Sequence, residues 1–144
     1  MSSKAAVLAV DHGTKKTGFA STDALRTAEW PLDCWHGPGD SDDLITHIGE
    51  LVEERSAGTV LVGLPLNMDT TEGGRAKEVR VFIERVRARL DGVLVLAWDE
   101  RLTTRSAEDL LHEAGFHGDD MKSRRDSWSA LVLLRDWIET GEPS

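Results

Sequence analysis

The sequence contains a single cysteine, Cys34, among its 144 residues. An internal disulfide is therefore excluded, and a reducing cytoplasm is the expected compartment. A zinc site is not predicted, because the five histidines show no ligand-like spacing with the only thiol. No apolar run approaches the roughly 18 residues of a membrane span, and residues 1–4 lack the apolar region of a signal peptide. The composition predicts one soluble domain over residues 1–144, without a membrane contact.

The chain also lacks an excess of positive charge. Seventeen Lys and Arg against 26 Asp and Glu give a net charge of −9, which argues against binding nucleic acid through bulk charge. The basic residues are nevertheless clustered. Lys15-Lys16 follow shortly after Asp11, and Arg124-Arg125 directly precede Asp126. A third group of basic residues occupies positions 75–89. A local phosphate-binding surface is compatible with this clustering, although solvated helix faces explain the third group equally well.

The order of apolar patterns predicts an α/β fold with a mixed sheet. Three short strands are expected at 5–10, 17–21 and 28–32, forming a meander. A helix capped by Asp40 or Ser41 and stopped by Gly58 follows. Next come a strand at 59–63, a long helix and a strand at 93–98. Ser106 and Asp109 indicate a capping box for a helix ending at Gly115. A polar connector then leads to a last helix at 126–140.

Acidic side chains stand at the ends of two predicted strands. Asp11 ends the first apolar run beside a glycine-bearing turn, and Asp99-Glu100 ends the last one. Burying an unpaired carboxylate costs several kcal/mol, so these acids need a cation. If the two strands are parallel neighbours, the acids meet at one sheet edge, where Asp126 adds a third carboxylate. Mg²⁺ or Mn²⁺ held there would support phosphodiester hydrolysis.

Each acid also has a structural interpretation. Asp11 could be a strand-end cap, Asp126 a helix N-cap, and residues 99–101 an ion-paired group. The joint occurrence of two strand-tip acids favours the metal site over these separate readings.

Four sequence blocks give the chain a family resemblance. In order they are DHGTKKTG, GLPLNMD, DERLTT and DSWSA, beginning at residues 11, 63, 99 and 126. They resemble the signature blocks of the YqgF/RuvX family over residues 5–138. The resemblance implies an RNase H-like three-layer fold, with a mixed five-stranded sheet flanked by helices. It also implies a catalytic, metal-binding triad of Asp11, Glu100 and Asp126, with Asp99 as an alternative ligand.

The resemblance carries a function as well. Members of the family are described as nucleases that process the 5′ end of pre-16S ribosomal RNA or, in older usage, as Holliday junction resolvases. RNA is therefore the first expected substrate, branched DNA the second, and the ribosome or its precursor a further expected partner. His12 replaces the family's usual aromatic or apolar residue, and a packing role at the strand end is favoured for it.

Further residues are expected to contact substrate. Asn67 could line the cleft, with turn formation as its alternative role. Those placed to meet phosphates are Lys15, Lys16, Arg101, Arg124 and Arg125.

Two rival functions remain at this stage. An actin-like phosphotransferase would need two lobes where 144 residues supply one. A non-catalytic RNA-binding ribosome-assembly factor fits the acidic charge slightly better and the retained acids less well. The oligomeric state is open between monomer and homodimer, because paired cuts in a junction require two active centres.

Overall fold

The computed structural model describes residues 5–67, 71–100 and 119–144, with the backbone alone for 119–126. In this part of the chain, five strands and three helices follow one another. The strands are β1 (Ala6–Asp11), β2 (Lys16–Thr22), β3 (Glu29–His36), β4 (Ala57–Leu64) and β5 (Leu94–Asp99). The helices are α1 (Asp42–Arg55), α2 (Gly74–Arg89) and α3 (Asp119–Glu139).

The strands form one mixed sheet in the order β3-β2-β1-β4-β5. The first three are antiparallel neighbours, which confirms the predicted meander. The crossovers through α1 and α2 make β1, β4 and β5 parallel. The carboxyl ends of these three strands therefore lie at the same edge of the sheet, with β4 between the other two. This edge is where open α/β sheets usually bind ligands.

Helices cover both faces of the sheet, giving three layers. On what we call the α1/α2 face, Leu8 and Val10 of β1 pack with apolar residues of α1 and α2. On the opposite α3 face, Val7 and Ala9 pack against α3. Successive strand residues point to opposite faces, so both sides of β1 are buried and its uninterrupted apolar run is explained. The five-stranded mixed sheet flanked by helices is thus confirmed.

Local sequence signals explain the bounds of α1. The Ser41 side chain accepts a hydrogen bond from the Asp43 N–H, confirming one of the two predicted caps. The predicted stop at Gly58 is wrong, because α1 ends at Arg55 and Ser56 adopts the left-handed conformation with φ 53°. Gly58 instead lies in β4, where an added Cβ would come within 2.7 Å of the Ala5 side chain. This glycine allows two strands to approach rather than ending a helix.

The last helix begins earlier than predicted. Residues 119–125 are helical, so Asp126 lies inside α3 rather than at its N-terminus, and the N-cap interpretation of Asp126 is wrong. These residues lack an apolar periodicity, so the sequence pattern predicts a connector rather than a helix here. Two aspartates in the first turn, followed by Met, Lys and Arg, nevertheless favour a helix. The predicted helix before Gly115 lies outside the described residues.

Among the strands that the structure describes, β5 is an outermost one, and an arginine of α2 covers part of it. The Arg87 guanidinium donates to the backbone O of Val95 in β5, at 2.8 Å from Nη2 and 3.3 Å from Nε. Among the described helices, none combines the length and hydropathy that crossing a membrane requires.

Candidate active site

Asp11 occupies the carboxyl end of β1, as the sequence predicts. It is half-buried and pairs across the sheet with Gly18 of β2. Alternation along β1 assigns its side chain to the α3 face, because Val7 and Ala9 already point there. The carboxylate thus stands at the sheet edge on the side that α3 covers.

Glu100 directly follows β5 and extends over the neighbouring strand. A Cβ built on Gly63 of β4 would lie 2.5 Å from Glu100 Oε1 and 2.9 Å from its Cγ. Gly63 faces α3, because Leu61 points there while Val62 and Leu64 point to the other face. The Glu100 carboxylate therefore occupies the recess that the missing side chain leaves on β4. From that position it lies on the same face as Asp11, over the strand that separates β5 from β1.

Burial makes the ionised form of Glu100 expensive. The pKa of this carboxyl is raised above its usual value, chiefly by desolvation. The charge of Arg75 lowers the pKa in opposition, and the charge of Asp99 adds to the rise. A half-buried acid with a raised pKa at a strand end is typical of functional sites.

Asp99 belongs to the other side of the sheet. It is the last residue of β5 and pairs with Leu64, which packs in the core of the α1/α2 face. Alternation gives Asp99 the same face as Leu64, opposite to the Glu100 carboxylate. The backbone thus favours Glu100 over Asp99 as the acid on the Asp11 side.

The third predicted ligand, Asp126, comes from the third turn of α3, the helix that packs on this face. Its side chain is outside the description. Among the described side chains, no group of three or more His, Cys, Asp or Glu is arranged to hold a metal ion. Asp11 and Glu100 alone would leave such a set one ligand short, so the triad stays a prediction.

The predicted phosphate-binding residues are partly described. Lys15 and Lys16 are exposed at the turn between β1 and β2. Asn67 is exposed, its N–H donates to the backbone O of Thr71, and its Nδ2 donates to the Thr71 hydroxyl. That is the turn-forming role, and a cleft role remains a prediction. Arg101 lies outside the described residues, and only the backbone is described for Arg124 and Arg125.

His12 and Arg75 form a network that was not predicted from the sequence. The His12 ring packs on Phe82, with centroids 4.2 Å apart, and its Nε2 lies 2.8 Å from the backbone O of Gly39. Arg75 Nη2 donates to the His12 backbone O at 2.8 Å and lies 3.2 Å from Nδ1. Because guanidinium only donates, Nδ1 is the acceptor and Nε2 carries the proton. The expected packing role of His12 is confirmed.

The neutral state of His12 follows from the same contacts. Its pKa lies below the usual value, mainly through burial, with the Arg75 charge acting in the same direction. The bond to Gly39 and the charges of Glu78 and Asp40 oppose that shift.

Comparison with known proteins identifies the family. The sequence matches the RuvX model, described as Holliday junction resolvase, over residues 5–140. The chain belongs to the RuvX family. A relative from Anaeromyxobacter sp. (strain Fw109-5), named "Putative pre-16S rRNA nuclease", is 39% identical over 92% of this chain and 95% of its own. A relative of the same name from Acetivibrio thermocellus is 34% identical over 93% of this RuvX-family chain and 95% of its own.

A solved structure confirms the fold of this RuvX-family protein. Thermus thermophilus RuvC in complex with a Holliday junction substrate superposes with a TM-score of 0.61, covering 95% of this chain and 96% of that one. The two sequences are only 14% identical, so the likeness speaks for the architecture alone. The predicted RNase H-like fold is therefore confirmed.

Proposed function

We propose that this RuvX-family protein is a metal-dependent nuclease that hydrolyses phosphodiester bonds in RNA, at the 5′ end of pre-16S ribosomal RNA. The observation that carries the proposal is the Glu100 carboxylate held over Gly63, beside the strand that ends in Asp11. Desolvation disfavours the charge of this half-buried acid, and a metal ion would stabilise that charge. The names of relatives at 39% and 34% identity support RNA as the substrate.

The donor set fits a hard divalent cation. Carboxylate oxygens from Asp11, Glu100 and Asp126 are the ligands that Mg²⁺ and Mn²⁺ prefer. The raised pKa of Glu100 means that such a cation competes with a proton, so binding is expected to weaken as the pH falls. A pair of such ions, held by these carboxylates, would supply activation of a water molecule and stabilisation of the leaving oxygen.

The basic residues of the chain would hold the substrate strand. We assign Lys15 and Lys16, together with Arg101, Arg124 and Arg125, to backbone phosphates, which position a substrate without reading its sequence. Choosing RNA would require contacts to the 2′-hydroxyl. A pre-ribosomal substrate places the protein in the cytoplasm, with the ribosome precursor as its partner.

A second candidate function is cleavage of branched DNA. The description of the matching family as Holliday junction resolvase favours it. The two candidates differ in assembly, because symmetric cuts in a junction require two active centres and hence a homodimer. A monomer suffices for one RNA strand.

The decisive experiment compares wild type with Asp11→Asn on three matched substrates: single-stranded RNA carrying the pre-16S 5′ flank, single-stranded DNA and a four-way junction. Each is incubated with Mn²⁺ or with EDTA. We expect cleavage by the wild type in Mn²⁺ only, and none by Asp11→Asn. Asp91→Asn, an exposed change near the other end of β5, is the matched control and should cleave normally.

Three kinds of result would contradict the proposal. Cleavage by Asp11→Asn, or in EDTA, would remove the metal centre from the mechanism. Failure of the folded, metal-loaded wild type to cut any substrate would favour a non-catalytic RNA-binding assembly factor. Preferential cutting of the junction would select the second candidate.

A further inference from the structure

A cavity of about 420 Å³ lies next to the candidate site, on the α1/α2 side of the sheet edge. Its walls come from three separate parts of the chain. These are the turn after β1, with His12 and Thr14, the loop before α1, with Gly39, and the face of α2 that runs from Arg75 to Arg85. His12 directly follows Asp11 in the chain, so their α carbons are about 3.8 Å apart. The cavity therefore opens at the same edge of the sheet as the predicted metal ligand Asp11, on the face opposite its carboxylate.

The lining of the cavity combines an apolar wall with charged ends. Val81 and Phe82 of α2 form the apolar part, and Val81 is 62% exposed although it is a large apolar side chain. Arg75 and Arg85, almost three helical turns apart, supply positive charge, and Asp40 and Glu78 supply carboxylate acceptors. The volume falls within the roughly 300–1,000 Å³ range of small-molecule sites.

Arg75 is held in place from one side and can donate from the other. Its Nη1 bonds to Glu78 at 2.7 Å, and its Nη2 contacts the backbone O and Nδ1 of His12. Among the described residues, these contacts use three of its five N–H groups. The guanidinium thus has a fixed orientation with donors remaining, which suits bidentate recognition of a phosphate.

The opposite wall is also fixed by hydrogen bonds. Arg85 donates to the backbone O of Asp40 at 2.7 Å and to the carboxylate of Asp42 at 2.5 Å. The His12 imidazole holds the Gly39 carbonyl. Both loop walls are therefore tied to the sheet and to α2 before any ligand arrives, which lowers the cost of binding.

We infer that this cavity is a subsite for one nucleotide of the substrate strand, next to the phosphodiester that is cut. The phosphate of that nucleotide meets Arg75, and its base lies along the exposed Val81 side chain, within reach of the Asp40 and Glu78 carboxylates. A phosphate joined to a flat ring with N–H donors matches this combination of cation, apolar wall and acceptors. The inference rests on the proposed function, because it takes the ligand to be part of the nucleic acid.

Binding can be tested separately from cleavage by NMR. The Asp11→Asn protein, labelled with ¹⁵N and kept in EDTA, is titrated with a single-stranded RNA hexamer, with uridine and with inorganic phosphate. We expect the hexamer to shift the backbone amide signals of Thr14, Gly39 and Val81 together in a saturable manner. Adding Arg75→Gln should weaken this binding at least tenfold, whereas Arg89→Gln, the same change near the end of α2, should not.

A second pair of variants guards against a folding defect at Arg75. Val81 is exposed, so Val81→Glu places a negative charge in the cavity without entering the core, and it should also weaken binding at least tenfold. Ala88→Glu makes the same charge change two turns further along α2 and should bind as before. Unchanged binding in both Arg75→Gln and Val81→Glu would overturn the inference.

The remaining outcomes separate this inference from the proposed function. Equal shifts with inorganic phosphate alone would reduce the cavity to an anion site and overturn the nucleotide assignment. Metal-dependent cleavage by wild type without hexamer shifts at the cavity would refute the subsite and keep the nuclease. Hexamer shifts at the cavity, in a wild type that cuts nothing, would support the nucleotide site and refute the nuclease.

Discussion

At the carboxyl edge of the sheet, the two faces hold their side chains in place by different means. On the α3 face, the decisive feature is space: Gly63 lacks a side chain, and the Glu100 carboxylate lies in the recess. On the α1/α2 face, the decisive feature is bonding: His12 is tied to Gly39, Arg75 and Phe82. The acid of the candidate site and the loops that support the edge are therefore held by different interactions. Filling the space should cost activity, whereas removing the bonds should cost stability.

The largest expected effect on the α3 face comes from Asp126→Asn. The amide preserves the shape of the side chain but loses the charge that a metal ligand needs. Cleavage should fall by more than the roughly 10–100-fold that loss of an outer-sphere partner costs, with thermal unfolding unchanged. Cleavage assays in Mn²⁺ beside circular dichroism melts check this. Normal cutting by a folded Asp126→Asn protein would show that the triad is wrongly assigned.

Gly63→Ala tests the importance of space directly. The added methyl would meet Glu100 at 2.5 Å, and the end of this flexible side chain must move away. A displacement near 1 Å costs about 10²-fold in rate, while alanine within a strand is no worse than glycine for stability. Gly74→Ala, where a Cβ meets nothing within 4 Å, is the control. Full activity of Gly63→Ala would mean that the recess does not position the acid.

His12→Ala tests the bonded face. The variant loses the hydrogen bond to Gly39, the contact with Arg75 and the ring packing on Phe82. We expect the free energy of unfolding to fall by about 1–3 kcal/mol, measured by urea denaturation. His12→Phe keeps the ring contact and should recover part of the loss. If His12→Ala unfolded at the same urea concentration as the wild type, the bonds of His12 would not contribute to stability, and the proposed difference between the two faces would be wrong.

The smallest expected effect lies at the turn after β2, away from both faces. The pKa of the exposed Asp23 is lowered, first by the hydrogen bond from the Thr27 hydroxyl and further by bonds from backbone N–H groups. Because the folded-state pKa is below the unfolded one, this stabilisation is present above about pH 4 and is lost as the pH falls through the folded value.

Thr27→Ala should therefore be slightly less stable than wild type at pH 7. The two stabilities should converge once the pH falls below the folded-state pKa of Asp23, and a difference that stays constant with pH would contradict this origin.

Much of the fold could be predicted because its signals are local. The Ser41 cap and the apolar runs of β1, β4 and β5 depend on neighbouring residues, and each was located within a few positions. The start of α3 was missed because residues 119–125 carry helix-forming side chains without an apolar stripe. Helix propensity alone is a weak signal beside periodicity.

The sequence selects residues of the candidate site only where they coincide with strand ends. Asp11 and Glu100 could be selected because the chain leaves the sheet at those points. The role of Gly63 depends on the register between β4 and β5, which pairs it with Trp98. The bond between Arg75 and His12 spans 63 positions of sequence. No local pattern signals such a contact, although the concentration of arginines at 75–89 was visible.

The hydrogen bond from Arg87 to the Val95 carbonyl hinders pairing of β5 with a strand of another copy of the protein. An outer strand offers its backbone groups to any other extended chain, and pairing of this kind begins aggregation. At Val95, the acceptor that an incoming strand would use is already taken by a charged group of the same molecule. Once α2 has packed on β5 during folding, this backbone acceptor is no longer available to a strand of another chain.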